Sequence, residues 1–386
     1  MVLDFLKKST PDAPEAKASA SAKLAVWGSS GRVVWRPRDV GSLAKNGFLG
    51  NPGGCRAVKV IAEAAAALPV ICQDAERRYD THPVLALLNR PNAAQTRADL
   101  LEAAFAQLML SGNAYVEAVA VEPGLPAELH VLRSDRMSLL PGADGWPQGY
   151  DYTVGSRKHR FPADLICHIR NFHPQDDHHG LAPIQAAATA IDVHNSAARW
   201  SKARLDNAAG PSGAIVYKGM EGAGAMSQDQ FDRLQMELES HHQGARNAGR
   251  PMLLEGGLDW KPMGFSPSDM EFQKTKEAAA RDIALAFGVP PMLLGIPGAA
   301  TSANYAEANR AFYRLTVLPL ASRVWAALSH WISGLTGEPM QVTPDLDGVP
   351  ALAAEREAAW RRINDADFLT QAEKRRMLGL PEAPQE

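Results

Sequence analysis

Cysteine is scarce in this chain of 386 residues. Cys55, Cys72 and Cys167 stand far apart and form no CxxC pair. That spacing argues against a structural zinc site and a disulfide framework, and it points to buried, reduced thiols of a cytosolic compartment. Long apolar runs are missing too. No uninterrupted stretch nears the roughly 20 residues that span a bilayer. The start of the chain, with Asp4, Lys7 and Lys8 around a very short apolar stretch, does not read as a signal peptide. No G-x-x-x-x-G-K-[ST] segment occurs, so the loop that cradles nucleotide phosphates in a motor ATPase is not expected. A basic excess is also missing: 40 Lys and Arg face 43 Asp and Glu, a formal net charge of −3. Tight DNA binding by phosphate neutralisation usually needs a basic stripe, so a surface that grips the duplex is disfavoured.

What is present is ample apolar content, 46% of residues, enough for more than one folding unit at this length. Residues 1–22 are rich in Ala, Ser, Pro and Lys and read as a flexible arm. Beyond them, helical and strand patterns mix. An Ala-rich helix spans Arg56–Ala67. Thr96 opens a second one, with Asp99 in its first turn, and Gly112-Asn113 ends it. Strands are expected at Ala114–Val119, Ala127–Leu132, Tyr150–Val154, Lys158–Phe161 and Leu165–Ile169.

Two polar helices with narrow apolar stripes follow. Pro183–Ala209 carries Ile184, Ala187, Ala188, Ile191 and Ala198 on one side, and at 1.5 Å per residue it reaches roughly 39 Å. The second runs from Ser268 or Asp269, either able to cap it, to Phe287, with Phe272, Ala279, Ile283 and Phe287 at helical spacing. Gly288 and Pro290-Pro291 stop it sharply. Between the two lies a small unit: strand Ala214–Tyr217, helix Ser227–His241 with a capping-box match at Ser227 and Gln230, and strand Met252–Glu255. It is too small to bury much alone, so a partner is expected. A long helix from Tyr305 to Ile332 follows, its apolar side holding Phe312, Leu315, Val317, Leu320, Val324, Leu328 and Trp331, with a kink expected at Pro319. A strand near Met340–Val342 and a polar helical tail with a Thr370–Glu373 capping box close the chain.

Several motifs in fixed order carry a resemblance. They are His82-Pro83-Val84-Leu85 through Leu88-Asn89-Arg90-Pro91-Asn92, Gly112-Asn113-Ala114-Tyr115, Gly180-Leu181-Ala182-Pro183-Ile184, Pro211-Ser212-Gly213, Asn247-Ala248-Gly249-Arg250, Ser266-Pro267-Ser268-Asp269 and Phe287–Gly295. Each alone is only turn punctuation. In this order the chain resembles the portal protein family of tailed bacteriophages, with Ala182 where the family usually has Ser. The compact length is similar to that of the gene transfer agent branch.

The resemblance implies an α+β portal-type protomer. Its parts would be a flexible N-terminal arm (1–22), a wing (23–182), stem helix 1 (183–209), a small α/β clip (210–267), stem helix 2 (268–288), an apolar knuckle and tunnel loop (289–304), a long kinked helix with a wing strand (305–349) and a helical crown (350–386). About twelve copies would close head-to-tail into a ring. The ring would pass double-stranded DNA, non-specifically, at a capsid vertex of a virion or phage-like particle assembled in the bacterial cytoplasm. Its partners would be the major capsid protein, head-completion or adaptor proteins and, transiently, the terminase ATPase. No membrane, cofactor, metal or catalytic residue is expected.

Candidate channel residues are Lys202, Arg204, Lys274, Lys276 and Arg281; acids among them favour ion pairs over phosphate contacts. Candidate tunnel-loop residues are Pro297, Gly298, Thr301, Ser302 and Asn304. Candidate adaptor contacts are Met226, Phe231, Leu234, Arg246 and Asn247. The alternatives are a metal-dependent hydrolase built on His168, His173, His178, His179, Asp176 and Asp177, whose spacing lacks the H-E-x-x-H pair, and a DNA-binding scaffold without a channel. The tryptophans could stack on bases, but core or interface packing is the stronger expectation.

Overall fold

A computed structural model describes residues 24–27, 33–36, 39–74, 77–119, 124–143, 146–206, 213–217, 229, 232–233, 258–262, 267–297 and 301–380. The chain begins with a hairpin of β1 (Leu24–Trp27) and β2 (Val33–Arg36), then α1 (Val40–Leu43), which runs into a π-helical turn at Ala44–Leu49. Asn51 caps α2 (Pro52–Ala66): its side chain accepts from the Gly54 N–H, and Pro52 takes the first helical position, where no N–H is needed. Next come β3 (Val70–Gln73), β4 (Arg78–Tyr79), α3 (Pro83–Asn89) and α4 (Arg97–Ser111). Thr96 and Asp99 form a full capping box on α4, and Gly112 closes it at φ 75°. Asp99 therefore acts through a hydrogen bond to the Thr96 N–H as well as through its charge.

The strands form small antiparallel sheets rather than one large one. β5 (Asn113–Val119) is flanked by β6 (Glu128–Leu132) and β10 (Ile166–Arg170). β7 (Met137–Pro141), β8 (Pro147–Val154) and β9 (Arg157–Pro162) make a meander. β3 pairs with β4 on one side and β13 (Gln341–Pro344) on the other. α5 (Pro183–Ala186) and α6 (Ala188–Asp206) precede a hairpin of β11 (Gly213–Tyr217) and β12 (Leu258–Pro262). The chain then runs through α7 (Pro267–Phe287), α8 (Ser302–Phe312), a π-turn at Tyr313–Val317, α9 (Leu318–Thr336), α10 (Ala353–Asn364) and α11 (Gln371–Met377).

One core joins these parts. Ile61 of α2, Leu100, Phe105 and Leu108 of α4, and Trp325 and Leu328 of α9 are fully buried in it, and Ile184 and Ile283 bring in the ends of α5 and α7. A second cluster of Tyr115, Tyr150, Phe161 and Ile166 ties the meander to β5 and β10. Cys72 and Cys167 are buried as free thiols, and Cys55 is half-buried.

The structure departs from the sequence reading in several places. The first rod is interrupted at Ala187, whose N–H still bonds Pro183 O in a tightened turn at helical dihedrals; residues 207–209 lie outside the described residues. α7 starts at Pro267, which puts Ser268 and Asp269 inside its first turn rather than at its cap. α8 starts at Ser302, not Tyr305, because Thr301 caps it by accepting from the Asn304 N–H. The long helix does not run unbroken to Pro319. A π-turn precedes it, and wide turns of this kind absorb a proline or an extra residue without breaking the helix. Leu315 sits in that turn and is exposed rather than on the apolar side. β1, β2, β3, β4, β7 and β12 had no expected counterpart. The expected helix Ser227–His241, its Ser227–Gln230 box and the strand Met252–Glu255 fall almost wholly outside the described residues.

Candidate functional site

α6 and α7 lie side by side and antiparallel. Near their far ends, Trp200, late in α6, stacks on Phe272, early in α7, with centroids 4.3 Å apart and planes 17° from parallel. Near their roots, Ala187 and Ala190 share a groove with Ala278, Ala279 and Asp282. Small residues at that contact let the two backbones approach closely. The roots enter the core through Ile184, Ala187, Ala188, Ile191, Ile283 and Phe287. Ala198 is only half-buried, and its neighbour Ala197 faces inward instead. The pair is thus rooted in the core at one end and joined toward the other by the Trp200–Phe272 stack.

A buried polar brace sets the angle of α6. The Asn51 amide lies 3.1 Å from His194 Nδ1 and donates to Asn195 Oδ1 at 2.9 Å, while Asn195 Nδ2 donates to Asn46 O. Burial, and secondarily the charge of Lys276, hold His194 below the ordinary histidine pKa, so it stays a neutral acceptor. Beside the brace, a Cβ on Gly47 would come within 2.6 Å of Ile184 Cδ1 and 2.9 Å of Ile191 Cδ1. The π-turn Ala44–Leu49 therefore seats directly on the rod.

At the root of α7, Gly288 adopts φ 67° and turns the chain into the Pro290-Pro291 knuckle. Its carbonyl accepts from Thr316 Oγ1 at 2.6 Å, and Val289 is buried. The knuckle is thereby fastened to the π-turn before α9. Gly295 closes the 3-10 turn Pro291–Leu294 at φ 74°. The first turns of α8, Ser302 to Glu307, are exposed all round.

The candidate residues of the sequence reading separate on this frame. Arg281 is exposed, and its guanidinium donates to Pro297 O at 2.6 Å across the base of the following loop. Lys274 is exposed, Lys276 half-buried and Lys202 exposed on α6; the side chain of Arg204 lies outside the described residues. Of the tunnel-loop candidates, Pro297 is exposed, Gly298 lies outside the described residues, and Thr301, Ser302 and Asn304 build the start of α8 rather than a loop. Met226, Phe231, Leu234, Arg246 and Asn247 all lie outside the described residues.

The histidines do not converge. His168 is stacked on Tyr115 at 4.3 Å, and burial, then Arg170, pushes its pKa down to about 3. Its Nε2 donates to Asn113 Oδ1, because that oxygen also accepts from the Gly180 N–H and so must be the acceptor. His179 pairs with Asp176, whose other oxygen accepts from the N–H groups of His178 and His179 in a local turn. Gln175 N–H donates to His173. Among the described residues, no three His, Cys, Asp or Glu side chains gather as a metal set would. The hydrolase reading therefore loses its site.

Sequence reasoning missed that two of the ordered motifs, at Gly112 and Gly180, meet in space. Gly112 and Gly180 touch backbone to backbone: a Cβ on Gly112 would sit 2.2 Å from Gly180 O, and one on Gly180 would sit 2.0 Å from Gly112 O. Asn113 bridges them, and Asn171 Nδ2 donates to Leu108 O and Leu181 O. Asn92 is buried and donates to Leu129 O while its own oxygen accepts from the Ala94 and Gln95 N–H groups. Gln185 Oε1 accepts from the Ala182 N–H, half a capping box; Ala182, where a Ser would complete it, supplies no hydroxyl. The Gly112 and Gly180 motifs form one backbone joint just before α5. The signal was the pairing of glycines flanked by amides, which single-sequence spacing does not reveal.

A family model described as phage portal protein matches residues 54–379. The portal protein of Enterobacteria phage HK97 is 26% identical over 388 residues, 94% of this chain and 89% of that protein. A chain in the neck of an empty gene transfer agent particle, computed with C6 symmetry, is 66% identical at a TM-score of 0.75, over 95% of this chain and 98% of that one. A chain in the neck of the native particle, computed with C12 symmetry, is 64% identical at a TM-score of 0.74, over 95% of this chain and 97% of that one.

Proposed function

This chain belongs to the phage portal protein family, and from that premise we propose that its copies close into a ring-shaped channel at one vertex of a phage-like particle of the gene transfer agent kind. The ring carries double-stranded DNA inward during packaging and outward during ejection. It also offers a docking platform to head-completion and tail proteins. The observation that carries this reading is the antiparallel pair α6 and α7, rooted in the core through Ile184 and Ile283 and joined further out by the Trp200–Phe272 stack. A rod of this form can wall a bore, and the 64% identical chain sits in a neck computed with C12 symmetry.

The parts take the roles that the resemblance implies: residues 23–182 the wing, 183–209 and 268–288 the stem, 210–267 the clip, 289–304 the knuckle and tunnel loop, 305–349 the long helix and wing strand, 350–386 the crown. The work is structural. Near-neutral charge, −3 overall, gives the duplex no deep electrostatic trap. Force comes from a separate terminase ATPase, and the major capsid protein holds the ring in the shell. The exposed lysines of the rods, Lys202 and Lys274, meet DNA phosphates in passing, whereas Arg281 holds the base of the tunnel loop.

Deleting the coding sequence from a particle-producing strain tests this. Heads without DNA, restored by the gene in trans, are expected; DNA-filled particles made without the chain would refute the channel role.

A further inference from the structure

The brace at the root of α6 fixes the places of its own protons. At one end the Gly54 N–H can only donate, and it donates to Asn51 Oδ1 at 2.9 Å. At the other end the Asn46 carbonyl can only accept, and it accepts from Asn195 Nδ2 at 2.9 Å. Asn195 Oδ1 is thereby an acceptor, and Asn51 Nδ2 is the donor that serves it at 2.9 Å. The second hydrogen of the same amide faces His194 Nδ1 at 3.1 Å. That nitrogen must therefore present a lone pair, with the ring proton on Nε2. Asn51 and His194 are 1% and 7% exposed, so bulk water does not make good a lost partner there.

A proton on Nδ1 sets a donor against a donor. Rotating the Asn51 amide would offer an oxygen, but it gives up the Gly54 cap and the bond to Asn195. Turning the imidazole away gives up the joint itself. The charges around the ring do not favour a second cation. From α7, the half-buried Lys276 bears on it and opposes the proton. In the π-turn Lys45 is exposed, on α2 Arg56 is engaged along its own helix with Glu63, and α5 carries no ionisable side chain. On α6 itself, Asp192 stands two residues before His194, about 200° around the helix.

We infer that His194 is an acid-released latch, and that a proton on its Nδ1 frees the first rod from Asn51 and from the π-turn Ala44–Leu49. Near neutral pH the latch holds α6 at one angle to the core. In mild acid the root of α6 slackens, while Trp200 and Phe272 still tie the far ends of α6 and α7. Burial, then Lys276, hold the latched imidazole below the ordinary histidine range. Once released, it titrates near about 6.5. The open form therefore binds the extra proton between those two values. Opening is favoured as pH falls through that window, by at most about tenfold for each pH unit.

Hydrogen exchange of the purified full chain, read by mass spectrometry from about pH 7.5 to about pH 4.5 and corrected for intrinsic rates, tests the latch. Peptides from the π-turn and from α6 are expected to lose protection in acid relative to α4, by about tenfold or more over that range. His194→Asn keeps an acceptor where Nδ1 stood and cannot take the proton, so its acid loosening should vanish. Asn51→Asp keeps an oxygen for the Gly54 cap and offers the imidazolium an acceptor, so its acid loosening should vanish or reverse. An unaltered chain whose π-turn and α6 loosen no more than α4 overturns the latch, as does an unchanged acid response in either variant. The readout needs no ring, so a chain that never forms one would sink the portal reading and leave the latch standing.

Discussion

Gly112 and Gly295 both adopt a left-handed backbone, at φ 75° and φ 74°, yet they are not equivalent. At Gly112 a Cβ would drive into Gly180 O at 2.2 Å, whereas nothing lies within 4 Å of a Cβ on Gly295. Gly112→Ala combines left-handed strain with overpacking against backbone and should cost about 2–5 kcal/mol. Gly295→Ala meets only the strain and should cost about 1–2 kcal/mol. Denaturant melts of the two variants check the contrast. Titration gives a second residue-scale prediction. His168 is held neutral, with a pKa near 3 in the fold against about 6.5 in the unfolded chain. The folded state therefore binds fewer protons than the unfolded state between those values, and stability falls as pH is lowered through that window. His194, depressed for the same reason, adds in the same direction. The melting temperature should drop from pH 7 to pH 5, and His168→Asn should flatten part of that slope. A profile unchanged by the substitution would contradict the buried neutral state.

At the scale of elements, the rods are held together by the Trp200–Phe272 stack and by the brace at Asn51. A double-mutant cycle on Trp200→Ala and Phe272→Ala should return a coupling of about 0.5–1.5 kcal/mol, the usual worth of such a ring pair. Asn51→Ala strips the cap from α2 and the donor from Asn195, and should cost about 2–3 kcal/mol in the same melts. Much of this architecture could be read from the chain alone. Gly288 with Pro290-Pro291 ended α7 within a residue of its observed end, Thr96 starts α4 as expected, and the Thr370–Glu373 box stands, because caps and stops are local chemistry. What escaped depended on distant partners. The π-turns at Ala44–Leu49 and Tyr313–Val317 answer to packing on Ile184 and Ile191 and to Pro319, not to their own side chains. β12 was invisible because Leu258–Pro262 gains strand form from β11, across a long stretch of chain. The hydrogen bond from Arg281 to Pro297 O, sixteen residues on, could not be read from spacing either.

For the whole molecule, a single protomer leaves its purpose half-expressed. The pair α6 and α7 is rooted in the core at one end, and Leu49, Phe172, Leu285 and Leu315 leave large apolar side chains exposed. These are unfavourable features for a monomer and useful ones for a closed assembly. Balanced charge predicts weak, sequence-blind contact with the duplex. Binding of short duplex DNA to assembled rings should be slight at physiological salt, without the steep salt slope of a protein that neutralises many phosphates. The same assay on Lys274→Glu rings should show little change in equilibrium binding, since a passing contact does not store affinity.

The most direct test of the account is an electron-microscope view of the purified protein down the axis of its assembled particle, paired with the mass of that particle in solution. The account predicts a closed ring of about twelve protomers, with α6 and α7 of every copy lining a central bore. A stable monomer in solution, or a ring whose bore is walled by other elements while these two helices point outward, would contradict it.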